Sequence, residues 1–80
     1  MNAAGTMIVL AKRKADQGVD YSPKHGALCP MCGEKARIYS TKPWDGPVRV
    51  RFHRCDNQAC ALASMRISIK SLEEDRVATP

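Results

Sequence analysis

Two short cysteine motifs decide how this chain folds, Cys29-Pro30-Met31-Cys32-Gly33 and Cys55-Asp56-Asn57-Gln58-Ala59-Cys60. Each motif predicts a tight turn with two sulfur atoms on one side. Gly33 tolerates the positive φ that lets backbone N–H groups point at sulfur, and Asn57 is typical of turns. Residues 33–54 are long enough for two strands and their loop. We therefore predict that the two motifs converge at one end of a hairpin and form a tetrahedral four-sulfur site.

Length and composition favour a metal at this site. In a chain of 80 residues with only 5% aromatic residues, a hydrophobic core alone rarely outweighs the entropy of ordering the chain. The short apolar run 7–11 precedes its basic residues, which is the reverse of a secretory signal. We therefore expect an intracellular chain, in which thiols stay reduced and four cysteines favour a metal site over disulfides. Four thiolates select zinc, with iron as the usual competitor. We expect one Zn²⁺ per chain, bound by Cys29, Cys32, Cys55 and Cys60.

Other uses of these residues stay open at this point. The sequence from Cys29 to Cys32 also resembles a thiol-redox active site, although such sites lie at a helix N-terminus in a larger α/β scaffold. Two disulfides would require export. His25 or His53 could replace a cysteine as a ligand. A site closed by four sulfur atoms leaves no position for water or substrate, so we expect a structural metal and no enzymatic activity.

The region between and after the motifs shows the alternation typical of β-strands. Residues 48–53 and 65–70 alternate apolar with basic or polar side chains, and residues 36–41 are a third candidate strand. Residues 42–47 contain two prolines and an Asp-Gly pair, which predicts the loop between the first two strands. We predict a small zinc-stabilised β-rich domain over residues 25–72, zinc-ribbon-like and with about three antiparallel strands.

The N-terminal stretch 1–24 is predicted to be an extension, either flexible or a short helix. Thr6 is a suitable N-cap for a helix over Met7–Gln17, and Gly18 follows directly after it. Such a helix has two or three turns and would be marginal on its own.

Charge separates the middle of the chain from its end. The formal net charge is +5, from 13 Lys and Arg against 8 Asp and Glu, and it falls to about +3 if four thiolates bind Zn²⁺. All of the excess lies between Lys35 and Lys70, whereas residues 73–80 form an acidic tail. The segment Leu72–Arg76 is also a candidate short helix. A basic middle favours a polyanionic partner, most simply nucleic acid.

The basic side chains of the β region are the candidate DNA contacts. Arginine pairs with phosphate or bidentately with guanine, and strands can enter a groove. The candidates are Arg37, Arg49, Arg51, His53, Arg54 and Arg66, with Lys70 extending the surface. We expect Arg51→Ala to leave the domain folded and to weaken DNA binding. The alternative is a solvated basic face. Trp44 is a weaker candidate contact, since it could equally cover the core.

Residues 29–70 resemble the Ogr/Delta-type zinc-binding transcription activators of temperate phages. The resemblance rests on Cys29-Pro30-x-Cys32, on Cys55-x-Asn57-x-x-Cys60 and on the spacing between them. Similar residues also stand at Ala36, Arg51, Phe52 and His53.

This resemblance implies a protein that binds double-stranded DNA upstream of phage late promoters and recruits bacterial RNA polymerase, through its α subunit. Such a protein would work in the cytoplasm of the bacterial host, with no membrane partner. A zinc-ribbon adaptor that binds only protein, with its basic face on an acidic partner, is the alternative. A thiol oxidoreductase acting through Cys29 and Cys32 is a third hypothesis, which zinc content would exclude.

Overall fold

The computed structural model describes residues 3–75 of the chain. They form helix α1 (Ala3–Gln17), helix α2 (Ala61–Ser64) and five strands. The strands are β1 (Val19–Asp20), β2 (Ala27–Leu28), β3 (Lys35–Thr41), β4 (Val48–Arg54) and β5 (Ile69–Glu74). They make one sheet in the order β1-β5-β4-β3-β2. The predicted small β-rich domain is confirmed, with two short edge strands in addition to the three expected.

Strands β3, β4 and β5 form the antiparallel centre of the sheet. The predicted strands 36–41 and 48–53 are confirmed, and each is one residue longer than expected. The loop between them closes through paired backbone hydrogen bonds of Asp45 and Val48, 2.8 and 3.2 Å long. Gly46 has a φ of +61° in this turn, a conformation that glycine adopts without steric cost.

The prediction for the last strand is wrong in its position. The strand was expected over residues 65–70, but it begins only at Ile69 and continues to Glu74, after a short helix over residues 61–64. The sequence Ala-Leu-Ala-Ser favours a helix, and the chain leaves this short helix too late for a strand to start at residue 65. The candidate helix Leu72–Arg76 is also wrong for its described part, because Leu72 and Glu74 pair with β4 opposite Val50 and Val48.

The helix predicted over Met7–Gln17 is confirmed, but it already runs from Ala3, so Thr6 lies inside the helix and the prediction of Thr6 as its N-cap is wrong. It ends where expected, at Gly18, which has a φ of +121° and donates its N–H to the carbonyl of Lys14 at 2.9 Å. A Cβ at Gly18 would lie 3.0 Å from the side chain of Leu72. The turn therefore requires glycine both for its conformation and for the close approach of β5.

The N-terminal segment packs on the sheet. Ala11 and Ala15 of α1 are buried, and β1 pairs in parallel with β5 through Val19 and Ser71. β5 also passes the predicted limit at residue 72, so Glu73 and Glu74 of the predicted acidic tail belong to the sheet. The boundaries at residues 24 and 72 stay predictions, but α1 and β1 share a core with the strands that follow them.

The sheet has two distinct faces. We call one the inner face, because His53, Ile69 and Ser71 on it are fully buried; Arg51 pairs with Ser71 and lies there too. The opposite, outer face carries Phe52 and its partner Lys70, since directly opposed residues of an antiparallel pair share a face. The core on the inner side consists of small residues, the cysteines, Leu62 and Ile69. No helix among residues 3–75 is long and apolar enough to span a membrane.

Candidate metal centre and nucleic-acid interface

The sheet brings the two cysteine motifs together. Cys29 directly follows β2 and Cys55 directly follows β4, while Cys60 precedes α2. Because β3 and β4 are antiparallel, with Arg37 opposite Arg54, the start of β3 and the end of β4 lie at the same end of the sheet. The first motif precedes β3 and the second motif follows β4, so both motifs lie at that end of the sheet.

The four sulfur atoms fit one tetrahedral metal ion. All lie within 4.8 Å of one another; Cys29 and Cys60 are 3.7 Å apart, and Cys32 and Cys55 are 3.5 Å apart. A zinc ion with Zn–S bonds of about 2.3 Å places its sulfur ligands about 3.8 Å apart. A disulfide would need a separation of about 2 Å, and all four thiols are free. The chain therefore binds one Zn²⁺ through Cys29, Cys32, Cys55 and Cys60.

The turns that hold the cysteines have the expected chemistry. Gly33 has a φ of +79° and donates its N–H to the carbonyl of Cys29 at 2.9 Å. The N–H of Met31 points at the Cys29 sulfur, 3.4 Å away. In the second motif, the side-chain oxygen of Asn57 accepts the N–H of Ala59 at 3.1 Å. These hydrogen bonds all form within the two cysteine motifs, so each turn is held by its own residues.

The surroundings of the thiols shift their pKa values in opposite directions. Burial raises the pKa of Cys29, and burial raises the pKa of Cys55 to about 12. Burial also acts upward on Cys32, but hydrogen bonds from the Glu34 backbone and the Asn57 side chain outweigh it and lower its pKa to about 7. Of these three thiols, Cys32 ionises most readily in the protein without metal. A bound cation stabilises the thiolate form of every ligand.

The two histidines stay outside the metal centre. His25 is exposed between β1 and β2, and the group of candidate ligands within residues 3–75 contains the four cysteines without either histidine. His53 is fully buried, with Nε2 2.7 Å from the Ser71 hydroxyl and Nδ1 3.3 Å from the carbonyl oxygen of Ala36. Burial lowers its pKa, which favours the neutral ring. The prediction that His53 contacts DNA is therefore wrong, because its ring is enclosed and both nitrogens have partners.

Arg51 is also largely buried. Its side chain is only 11% exposed and forms an ion pair with Glu73. Its guanidinium lies 4.1 Å from the ring centroid of Tyr21. The prediction of Arg51 as a DNA contact is wrong, since the charge is already neutralised and covered inside the fold. The sequence reasoning missed its two partners, Glu73 and Tyr21.

A signal for this arrangement was present in the sequence. Side chains alternate between faces along a strand, so a metal ligand at position 55 places residues 53 and 51 on the same side. Cys55 is buried beside the core. Extending the alternation backward from the cysteine would have placed His53 and Arg51 on the inner face.

Arg49 lies at the far end of β4 and contacts Trp44. Its guanidinium is 5.0 Å from the centroid of the indole, and Trp44 itself is 42% exposed. Arg49 Nε is buried and has no hydrogen-bond partner within residues 3–75. The structure thus separates Arg49 from the cysteine end of the sheet.

The remaining three candidate arginines come together beside the metal centre. Arg37, Arg54 and Arg66 all line one pocket, which we call the arginine pocket. Its other lining residues are Cys55, Asp56, Leu62, Ala63 and Ile67. Arg37 is exposed and donates to Asp56 through Nε at 3.1 Å and through an NH₂ group at 3.4 Å. Lys70, which was expected to extend the surface, does not line this pocket and lies opposite Phe52 on the outer face.

The chain matches one known family. The sequence model of the Ogr/Delta-like zinc finger family matches residues 28–68, just over half of the chain. No curated protein and no solved structure matches it. The matched segment contains all four cysteines, the arginine pocket and strands β3 and β4. The chain therefore belongs to the Ogr/Delta-like zinc finger family, as a zinc-binding domain of the phage transcription-activator kind.

Proposed function

We propose that this protein binds double-stranded DNA through the arginine pocket and activates transcription from phage late promoters by recruiting bacterial RNA polymerase. The observation that carries the proposal is the convergence of Arg37, Arg54 and Arg66 beside the zinc centre. Three arginines against one carboxylate, that of Asp56, leave this small surface net positive, and concentrated positive charge attracts a polyanion more strongly than cations scattered over a sheet. Family membership supports the same function.

The metal would fix the geometry of these contacts. Arg54 directly precedes the ligand Cys55, and Arg66 follows the helix that begins after the ligand Cys60. Their relative positions thus depend on the two sulfur atoms being bound to the same ion. Arg37 is oriented from β3 by its bidentate contact with Asp56. In this proposal zinc has a structural role and the protein is not an enzyme.

The backbone at Arg66 supports a functional role for its side chain. Arg66 has a φ of +56°, and it is the one residue other than glycine with a positive φ within residues 3–75. It ends α2, where Ile67 donates its N–H to the carbonyl of Leu62 at 3.0 Å. Glycine is the usual residue at this position of a helix end. An exposed arginine held in a conformation that favours glycine suggests that its charge is needed there.

A second surface is available for the polymerase. Met7, Val9 and Leu10 of α1 are each more than half exposed, and they lie on an element that contributes nothing to the arginine pocket. Exposed apolar clusters of this kind are common at protein interfaces. We therefore assign the polymerase, through its α subunit, to α1 and the DNA to the arginine pocket, in a protein acting in the bacterial cytoplasm.

DNA binding is tested with the zinc-loaded full chain. Selection from a pool of random duplexes should enrich a preferred sequence, and fluorescence anisotropy should then measure its affinity at several salt concentrations. Arg54→Ala and Arg66→Ala should each weaken binding about tenfold, and each should reduce the salt slope by about 1, since one phosphate is no longer neutralised. Arg13→Ala on α1 is the control, because it removes the same charge from an exposed position outside the pocket. Equal effects of all three substitutions, or no enriched sequence, would contradict the proposal and favour the protein adaptor.

Recruitment is tested separately by transcription in vitro. A template with the selected sequence upstream of a weak promoter should give more transcript with bacterial polymerase when the protein is added. Polymerase lacking the C-terminal domain of its α subunit should not respond. If the protein binds the DNA but leaves transcription unchanged, the proposed DNA site is supported and the proposed activator role is contradicted.

A further inference from the structure

We propose that the outer face of the sheet binds unpaired bases of single-stranded nucleic acid, at a site separate from the arginine pocket in all but one residue. The site consists of two aromatic side chains, Tyr39 and Phe52, and three cations, Lys42, Arg54 and Lys70. We call these five residues the stacking surface. The proposal does not depend on the duplex binding proposed above.

The aromatic part of this surface is accessible and prearranged. Tyr39 is 47% exposed, and its ring lies 6.4 Å from that of Phe52 at an angle of 35°. The Tyr39 hydroxyl lies 2.5 Å from that of Ser68, which anchors the far end of the ring. A ring held in this way loses little conformational freedom when a base stacks on it. Aromatic side chains on an open sheet are a recurring way of binding single-stranded bases.

A β-bulge puts Tyr39 in this position. The register of β3 and β4 shifts between Ile38, which faces His53, and Ser40, which faces Phe52. Tyr39 is the extra residue of the bulge. Bulges redirect a side chain locally, and here the tyrosine ring lies against the phenylalanine on the outer face. Two residues of β3, Tyr39 and Ser40, therefore lie opposite Phe52, and Tyr39 adds a second aromatic ring to this part of the outer face.

Cations surround both rings. The ammonium of Lys42 lies 5.8 Å from the centroid of Phe52, and the guanidinium of Arg54 lies 4.8 Å from that of Tyr39. Lys70 is directly opposite Phe52 on β5. These cations can pair with the phosphates next to a stacked base, and a guanidinium can itself stack on a base.

The combination favours a single strand over duplex DNA or an acidic protein. In a duplex the bases stack on each other and their faces are covered, so exposed rings gain nothing from it. An acidic segment would use the cations but not the ring faces. Asp20 and Glu74 on this face lie opposite Leu72 and Val48, away from the two rings. Asp56, beside Arg54, is already paired with Arg37. Bases and phosphates together match both halves of the surface.

The test uses the zinc-loaded full chain and three fluorescein-labelled probes: a short oligothymidylate, an oligouridylate of the same length and a duplex of mixed sequence. The anisotropy of each probe gives the affinity. Tyr39→Leu should weaken oligothymidylate binding by about 5- to 100-fold, because one base loses its stacking partner. Tyr39→Phe is the matched control: it keeps the ring, removes the hydroxyl that lies beside Ser68, and should retain binding within about threefold. The oligouridylate distinguishes RNA from DNA as the strand preferred.

Separate results distinguish this proposal from the duplex site. Arg66→Ala should weaken duplex binding and leave oligothymidylate binding unchanged, whereas Tyr39→Leu should do the reverse. If Tyr39→Leu has no effect, or if Tyr39→Phe weakens binding as much, the stacking proposal is overturned and the duplex proposal is unaffected. Inorganic polyphosphate that competes as well as oligothymidylate would also overturn it, since charge alone would then explain binding. Phe52→Leu gives a second test at the neighbouring ring, with thermal melting to establish that the variant is folded.

Discussion

The two faces of strand β4 have exchanged the usual roles of polar and apolar residues. The inner face, which adjoins the core, carries Arg51 and fully buried His53, whereas the outer face carries Phe52 and is partly exposed. On the inner face Arg51 and His53 both have partners inside the protein. On the outer face Lys42 and Arg54 lie over aromatic rings, and neither forms an ion pair within residues 3–75 that would keep it from a ligand. Partners, more than side-chain polarity, determine which face of this sheet is buried.

The inner face carries connected polar contacts in place of a large apolar core. Arg51 pairs with Glu73, His53 contacts the Ser71 hydroxyl, and that hydroxyl lies 3.4 Å from the carbonyl oxygen of Arg51. A satisfied buried network adds little net free energy, but breaking one member leaves the others unpaired at high cost. The inner face should therefore be sensitive to single substitutions, and the outer face should be tolerant.

The largest effect should come from the metal, on which both faces depend. Chelation of zinc, or Cys55→Ala, removes an interaction with an apparent free energy of about 10–16 kcal/mol, which exceeds the stability of a typical small domain. We expect loss of the β-sheet signal in circular dichroism together with loss of one zinc per chain by elemental analysis. Ser64→Ala, at an exposed position, is the control and should retain both. A protein that stays folded without metal would contradict this prediction, because neither face of the sheet would then depend on the zinc centre.

The next largest effect should come from Arg51 on the inner face. Arg51→Met leaves the Glu73 carboxylate buried without its partner, and we expect a decrease of about 3–5 kcal/mol in the free energy of unfolding. Urea denaturation of the zinc-loaded protein measures it. The double variant Arg51→Met/Glu73→Met should recover part of this stability, since no charge is left unpaired. A single variant as stable as the parent would mean that the inner face is not held by this pair. This prediction replaces the sequence-based expectation that Arg51→Ala affects only DNA binding.

A smaller effect of opposite sign is expected at Arg66. Arg66→Gly relieves a positive φ on a residue with a Cβ, and it should raise the free energy of unfolding by about 0.5–1 kcal/mol. The same variant should bind duplex DNA less well, as Arg66→Ala does. Urea denaturation and anisotropy on one preparation give both quantities. A less stable variant would show that the arginine side chain supports the fold and would weaken its assignment to DNA.

The smallest effect on stability is expected on the outer face, at Lys70. Lys70→Ala removes a cation opposite Phe52 without leaving a buried group unpaired, so its free energy of unfolding should change by no more than about 0.5 kcal/mol. Its affinity for oligothymidylate should nevertheless fall. A destabilisation comparable to that of Arg51→Met would erase the distinction between the faces.

The sequence predicted the metal centre in full and the sheet only in part. Cysteine spacing is a local constraint, so the ligands, the turn at Gly33 and the hairpin loop at residues 42–47 could all be identified from the chain. The faces of β4 could not be assigned by polarity, because Arg51 and His53 find partners that are distant in sequence, Glu73 and Ser71. Strand β5 was misplaced because residues 61–64 form a helix whose stability depends on burying Leu62. The bulge at Tyr39 arises only when β3 and β4 pair.

The parallel pairing of β1 with β5 has a consequence for how the protein is made. Val19 and Ser71 are neighbours in the sheet although they are far apart in the sequence, and zinc joins Cys29 to Cys60 across a shorter interval. Neither pairing can form until its later member, Ser71 or Cys60, has left the ribosome. Pairing of distant residues also slows folding, because a long loop must close before the pairing stabilises it. We expect the zinc centre and the β1–β5 pairing to stay unformed, and the segment before them to stay accessible to proteases, until Cys60 and Ser71 have emerged from the ribosome.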